Sequence, residues 1–181
     1  MKFNDKTFLK EKNKILMFYP YISSKSVKNV GKTIKSRWIG QGPKVEQLEK
    51  KFSNKFLNNK LALATGSGTD ALHLSYILSK IKKDDEVIVP IFTCTATNIP
   101  LLYIGAKIVF ADVDRNSMNI CTKSVEKLIT KKTKAIVCVH YGGLPCDMSE
   151  LMRISKKHNI ILIEDVAQAI GAKYKNKNVG T

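Results

Sequence analysis

The chain has 181 residues, 44% hydrophobic, 8% aromatic and 25% charged, which is enough apolar material to bury a core and excludes a disordered or collagen-like polymer. Lysine and arginine total 31 against 15 acidic residues, a formal charge of +16 that raises nucleic acid or a membrane surface as a partner. Only Arg37, Arg115 and Arg153 are arginines, and no aromatic residues interleave with the lysines at a stacking spacing, so the bias argues against nucleic-acid recognition.

The charge is concentrated at the front: residues 1–60 carry 15 basic and 4 acidic side chains, residues 61–181 carry 16 and 11. Residues 1–22 are read as a basic N-terminal arm, polar and without a sustained period over the first fourteen residues. A helix is predicted from Ser23 to Ser36. Trp38 to Pro43 forms a loop punctuated by glycine and proline, with Pro43 suited to the first position of a second helix reaching about Leu57. On that helix Val45, Leu48, Phe52 and Phe56 recur on one face.

From residue 61 short apolar runs alternate with stretches of helical period. The predicted strands are Leu61 to Ala64, Glu86 to Val89, Lys107 to Ala111, Lys134 to Val139 and Ile160 to Glu164. The predicted helices are Thr69 to Lys80, Thr95 to Tyr103, Ser124 to Thr130 and Met148 to Lys157. This order implies an α/β fold, a three-layer αβα arrangement on a mostly parallel sheet. The twenty uncharged residues Val87 to Ala106 are long enough to cross a bilayer, but Pro90, Pro100, Asn98 and three threonines divide them into strand, loop and helix, so no membrane partner is expected. The cysteines at 94, 121, 138 and 146 form no CxxC pair, and no secretory leader is expected, since no basic n-region is followed by an apolar h-region. They read as reduced thiols of a cytoplasmic protein, with no metal site.

In a parallel α/β sheet ligands bind beyond the carboxyl ends of the strands. Two motifs fall there. Thr65-Gly66-Ser67-Gly68-Thr69 follows a predicted strand and opens a helix, so its N–H groups suit a phosphate. A dinucleotide reading wants an acid at the end of the second strand, whereas Glu86 begins it, and a ligand-free glycine turn is the plainer alternative. At the end of the last apolar run stands Asp165, a costly place for a carboxylate unless it is neutralised. A protonated heterocyclic nitrogen would neutralise it, with Gln168 donating to a neighbouring ring oxygen; capping of a following helix is the alternative. A phosphate grip and a strand-end acid together suggest pyridoxal phosphate.

Five segments, Gln41 to Val45, Gly68 to Leu74, Val89 to Thr97, Val139 to Met148 and Glu164 to Ala169, resemble in order the successive motifs of the DegT/DnrJ/EryC1/StrS family. The resemblance covers residues 38–181 and implies the N-terminal part of a fold-type-I pyridoxal-phosphate transferase. On it, residues 23–181 are an incomplete large domain, without the C-terminal small domain. It implies that Ser67, Gly68 and Thr69 grip the cofactor phosphate, that Asp165 pairs with the pyridine nitrogen and that Gln168 bonds the ring hydroxyl. Cys94 takes the place where many relatives put an aromatic residue against the ring; a small buried hydrophobe is its alternative reading. His140 resembles the family's strand-end histidine and is read as a satisfied core residue.

The implied activity is transfer of an amino group, with glutamate as donor, to a keto sugar on a nucleotide, in a homodimer with shared active sites. The lysine that forms the Schiff base lies in a serine-containing motif beyond the stretch resembling Lys173 to Thr181. Lys173, Lys175 and Lys177 sit in a polar turn outside that context, so the 181-residue chain is expected to be inactive. Some relatives are dehydratases with histidine in place of that lysine, and the residues present do not separate the two chemistries; a non-catalytic binding module derived from the same family is the other alternative.

Overall fold

The structure, a computed structural model, describes residues 20–181. Most of the expected basic arm therefore lies outside the described residues. Two units are distinguished, one ending at Gly42 and one from Pro43 to Thr181.

In the first unit, helix α1 runs Ser24–Lys35, with the Ser23 side chain accepting from the Ser26 N–H at 3.1 Å as its N-cap. Val27, Val30 and Ile34 recur along it at helical spacing and stay exposed. The loop that follows is closed by Trp38 Nε1 donating to the Gln41 carbonyl at 2.9 Å.

The second unit opens with α2, Pro43–Phe56, where the proline occupies the first helical position as predicted. There follow α3 (Gly68–Leu78), β1 (Glu86–Pro90), α4 (Thr95–Ile104), β2 (Lys107–Ala111), α5 (Thr122–Leu128), β3 (Thr133–Val139), α6 (Met148–His158) and β4 (Ile161–Asp165). The four strands are all parallel, in the order β2-β1-β3-β4. Alternating side chains divide the core in two, as the two-residue period of a strand requires. Val87, Val89, Ala135 and Val137 pack with Leu72 and Tyr76 of α3 and Leu101 of α4. Ile88, Ile136 and Cys138 pack with Val125 of α5 and Met148, Leu151 and Ile154 of α6. Both faces are covered, which explains why these strands read as continuous apolar runs. Burying each such aliphatic side chain contributes about 1.5–3 kcal/mol.

Leu61 to Ala64 is the predicted strand that the structure does not form. It has no neighbouring strand, Leu61 is 99% exposed, and its tie to the rest is Ala64 N–H donating to Glu49 Oε1 at 2.8 Å. The polar turn expected around Lys173 to Lys177 is a small antiparallel hairpin, β5 (Lys173–Tyr174) and β6 (Lys177–Asn178). Lys175 and Asn176 at its tip both have positive φ, the geometry of a tight two-residue hairpin turn. Among the described residues no helix is long and apolar enough to cross a membrane.

Candidate active site

The carboxyl ends of β1, β3 and β4 deliver three short segments to one edge of the sheet. After β4, the Asp165 carboxylate accepts two hydrogen bonds: from Ala167 N–H to Oδ1 at 3.1 Å and from Thr97 Oγ1 to Oδ2 at 3.0 Å. Turns rather than a helix follow, so the helix-cap alternative for Asp165 is set aside; the carboxylate closes a local turn and reaches across to α4.

After β1, Thr93 and Thr97 lie hydroxyl to hydroxyl at 2.8 Å on either side of the α4 N-terminus. Cys94, between them, is the N-cap residue of α4; its thiol makes no capping hydrogen bond and it is exposed. The buried-hydrophobe reading of Cys94 is therefore corrected: at a helix start on the sheet's carboxyl edge, there is no core layer to enclose it. Below it, the Tyr76 phenol donates to the Thr97 carbonyl at 2.8 Å. Burial, and then the Asp165 charge, push the Tyr76 phenol well above its ordinary pKa, so it remains a donor.

After β3, the segment from His140 to Asp147 is stitched by side chains. Buried Asn119 accepts from Tyr141 N–H at 3.0 Å and donates to the Leu144 carbonyl at 2.9 Å. The Gly142 N–H donates to Gln168 Oε1 at 2.7 Å, which leaves the Gln168 amide nitrogen as its outward donor. His140 is fully buried: Nδ1 accepts from Cys146 N–H and Nε2 faces Glu164 Oε2, both at 3.0 Å. With Nδ1 an acceptor, the ring carries its proton on Nε2 and donates to Glu164, which also accepts from Gly180 N–H at 2.7 Å. His140 is thus a satisfied core residue.

The glycine turn caps α3, with Ser67 Oγ accepting from Asp70 N–H at 3.1 Å. The first turn leaves the Gly68 and Thr69 N–H groups without helical acceptors, and a Cβ placed on Gly68 meets nothing within 4 Å. Gly68 and Asp165 line one cleft of about 350 Å³, with Phe52, Phe56, Ile163 and Ile170 supplying much of its apolar wall. Ser67, Thr69, Cys94 and Gln168 do not line that cleft. Cys94 is linked to Asp165 through its neighbour Thr93 and Thr97, and Gln168 lies three residues beyond the acid. Glu86 stands at the amino end of β1, hydrogen-bonded by Thr130 Oγ1, so it is remote from the glycine turn and the dinucleotide reading fails. Residue type and position in the sequence do not single out Thr97, Tyr76 or Asn119, whose partners lie far along the chain.

A family model described as the DegT/DnrJ/EryC1/StrS aminotransferase family matches residues 20–181. GDP-perosamine synthase of Escherichia coli O157:H7 is 39% identical over 170 residues, covering 92% of this chain and 46% of that protein. The solved aminotransferase from Psychrobacter cryohalolentis is 40% identical, with a TM-score of 0.83, covering 90% of this chain and 41% of the other. A GDP-4-keto-6-deoxymannose-3-dehydratase, solved with a trapped PLP-glutamate geminal diamine, is 33% identical at a TM-score of 0.79, covering 86% of this chain and 42% of the other. The chain spans less than half the length of each of these relatives. The fold is that of the fold-type-I pyridoxal-phosphate aminotransferases, as the motifs implied.

Proposed function

Since the chain belongs to the DegT/DnrJ/EryC1/StrS aminotransferase family, we propose that it is the N-terminal part of a pyridoxal-phosphate-dependent enzyme that transfers an amino group from glutamate to a nucleotide-linked keto sugar. The observation that carries this reading is Asp165, held at the end of β4 by Thr97 and sharing a cleft with Gly68 of the glycine turn. The residues present fit the cofactor. The space above Gly68 is open and the first N–H groups of α3 point out of the helix, as a phosphate requires. Ser67, Gly68 and Thr69 would hold that phosphate, and Asp165 would keep a proton on the pyridine nitrogen. Gln168, its carbonyl occupied by Gly142, would donate to the ring hydroxyl, while Cys94 would touch the ring without stacking on it. Bound pyridoxal phosphate supplies an electron sink whose strength depends on that protonated nitrogen.

The similarity to GDP-perosamine synthase supports the nucleotide-sugar substrate, and the dehydratase neighbour keeps a second reading, sugar dehydration on the same cofactor. A homodimer and a cytoplasmic location go with the proposal, the latter in keeping with four unpaired thiols. None of the three lysines near residue 175 is offered as the Schiff-base residue: Lys175 Nζ donates to Ser149 Oγ at 2.7 Å, and Lys173 and Lys177 are exposed on the hairpin.

The 181-residue chain is expected to bind pyridoxal phosphate weakly and reversibly, without transamination. Asp165→Asn should weaken that binding about tenfold, the worth of one charge-assisted hydrogen bond. After borohydride treatment, intact-mass measurement should find no cofactor adduct at Lys173, Lys175 or Lys177. Equal affinity in the two proteins would remove Asp165 from the site, and a reduced adduct on the hairpin would overturn the reading of those lysines.

A further inference from the structure

We infer that Thr97 is a positioning residue, the joint that fixes the Asp165 carboxylate and ties it to the segment carrying Cys94. The Thr97 side chain is fully buried, and its hydroxyl has a single proton, donated to Asp165 Oδ2 at 3.0 Å. The Thr93 hydroxyl, 2.8 Å from Thr97 Oγ1, is then necessarily the donor to Thr97. Polarity runs one way, from Thr93 through Thr97 to the carboxylate. A reversed chain would leave Asp165 Oδ2 facing a lone pair.

The backbone of Thr97 is held as firmly as its side chain, because its carbonyl accepts from the buried Tyr76 phenol at 2.8 Å. Thr97 thereby connects α3, α4 and β4 at one point. Ala167 N–H holds the other carboxylate oxygen at 3.1 Å, so both oxygens are constrained and the group has one orientation. An acid that must face a ring nitrogen is useful only when it does not rotate away, and an oriented donor secures that without neutralising its charge. The inference rests on the cofactor reading for its functional meaning, but the hold of Thr97 on Asp165 is a property of the chain itself.

The test separates the two. In the cofactor-free 181-residue chain, three-bond couplings about χ1 of Asp165 should report a single rotamer in the wild type and in Thr97→Ser, and averaged rotamers in Thr97→Val. Thr93→Val, at a half-buried position, guards against a misfolded Thr97→Val and should produce partial averaging. An Asp165 that stays in one rotamer in both valine variants overturns the inference. In a second arm, Thr97→Val should weaken pyridoxal phosphate binding about tenfold when Asp165 is present and leave the Asp165→Asn protein unchanged. An equal loss in both backgrounds overturns the route through Asp165. If instead Asp165→Asn itself leaves cofactor binding intact while the rotamers still average, the cofactor reading falls and the positioning of Asp165 by Thr97 stands.

Discussion

Glu164 and Asp165 are adjacent carboxylates at the end of one strand with different surroundings. Glu164 accepts from the His140 ring and the Gly180 amide, whereas Asp165 accepts from a hydroxyl and an amide. The first arrangement ties its acid to a fully buried ring in the core; the second ties its acid to the start of α4 and to the turn after β4. Asp114 shows a third use of an acid, in a surface turn. The Ser117 amide, the Ser117 hydroxyl and the Asn116 amide hold its carboxyl below the usual 3.8. Stabilisation from Asp114 is therefore complete above its unfolded-state value near 3.8 and is lost as the pH falls through the lower folded-state value. Urea unfolding between pH 2 and 6 should show that dependence in the wild type and a shallower acid limb in Asp114→Asn. Asp165 was legible from residue type and position because a strand-end carboxylate is costly; Thr97 was not, since a threonine in an apolar run carries no sign of which oxygen it will face.

Helices and strands were predicted to within about two residues where period and capping agreed. Helix α6 begins at Met148 because Asp147 Oδ1 accepts from Glu150 N–H at 3.2 Å, and it ends at Asn159, whose left-handed backbone closes the last turn. Asp147 also accepts from the Tyr174 phenol at 3.0 Å, so it joins the helix start to the β5–β6 hairpin. Asp147→Ala should cost about 1–2 kcal/mol in urea unfolding, a cap plus a shared hydrogen bond, while Asp147→Asn, which keeps an acceptor, should cost less than half of that. Leu61 to Ala64 had the composition of a strand yet forms none, because a strand is a relation between two segments: without a neighbour offering N–H and C=O groups, alternation alone does not create a ladder. Helix α4 went the other way. It tolerates Pro100 in its interior, forfeiting one backbone bond, because buried Pro100 and Leu101 pack into the core.

Across the Pro43–Thr181 unit, the parallel sheet has two edges, at β2 and β4, and several large apolar residues remain at the surface, Leu61, Leu63 and Ile170 among them. Leu63 is 65% exposed, so its removal from the surface should leave folding almost untouched while reducing association. Leu61→Lys combined with Leu63→Lys should change unfolding free energy by less than about 0.5 kcal/mol and lower the fraction of oligomer in sedimentation velocity. A large loss of stability would mean that this segment is packed in solution.

Periodicity, the glycine turn and the strand-end acid are properties of nearest neighbours along the chain, and from them the sequence by itself determined a parallel α/β unit and pointed to its carboxyl edge as the place to expect a ligand. The five ordered motifs added the family. Strand partners, the chain from Thr93 to Asp165 and the closed pair of His140 with Glu164 join residues far apart in sequence, Thr97 and Asp165 by 68 positions. Only the tertiary structure decided those, because a hydroxyl or imidazole takes its partner from whatever the packed sheet brings within 3 Å, and no local pattern encodes that meeting.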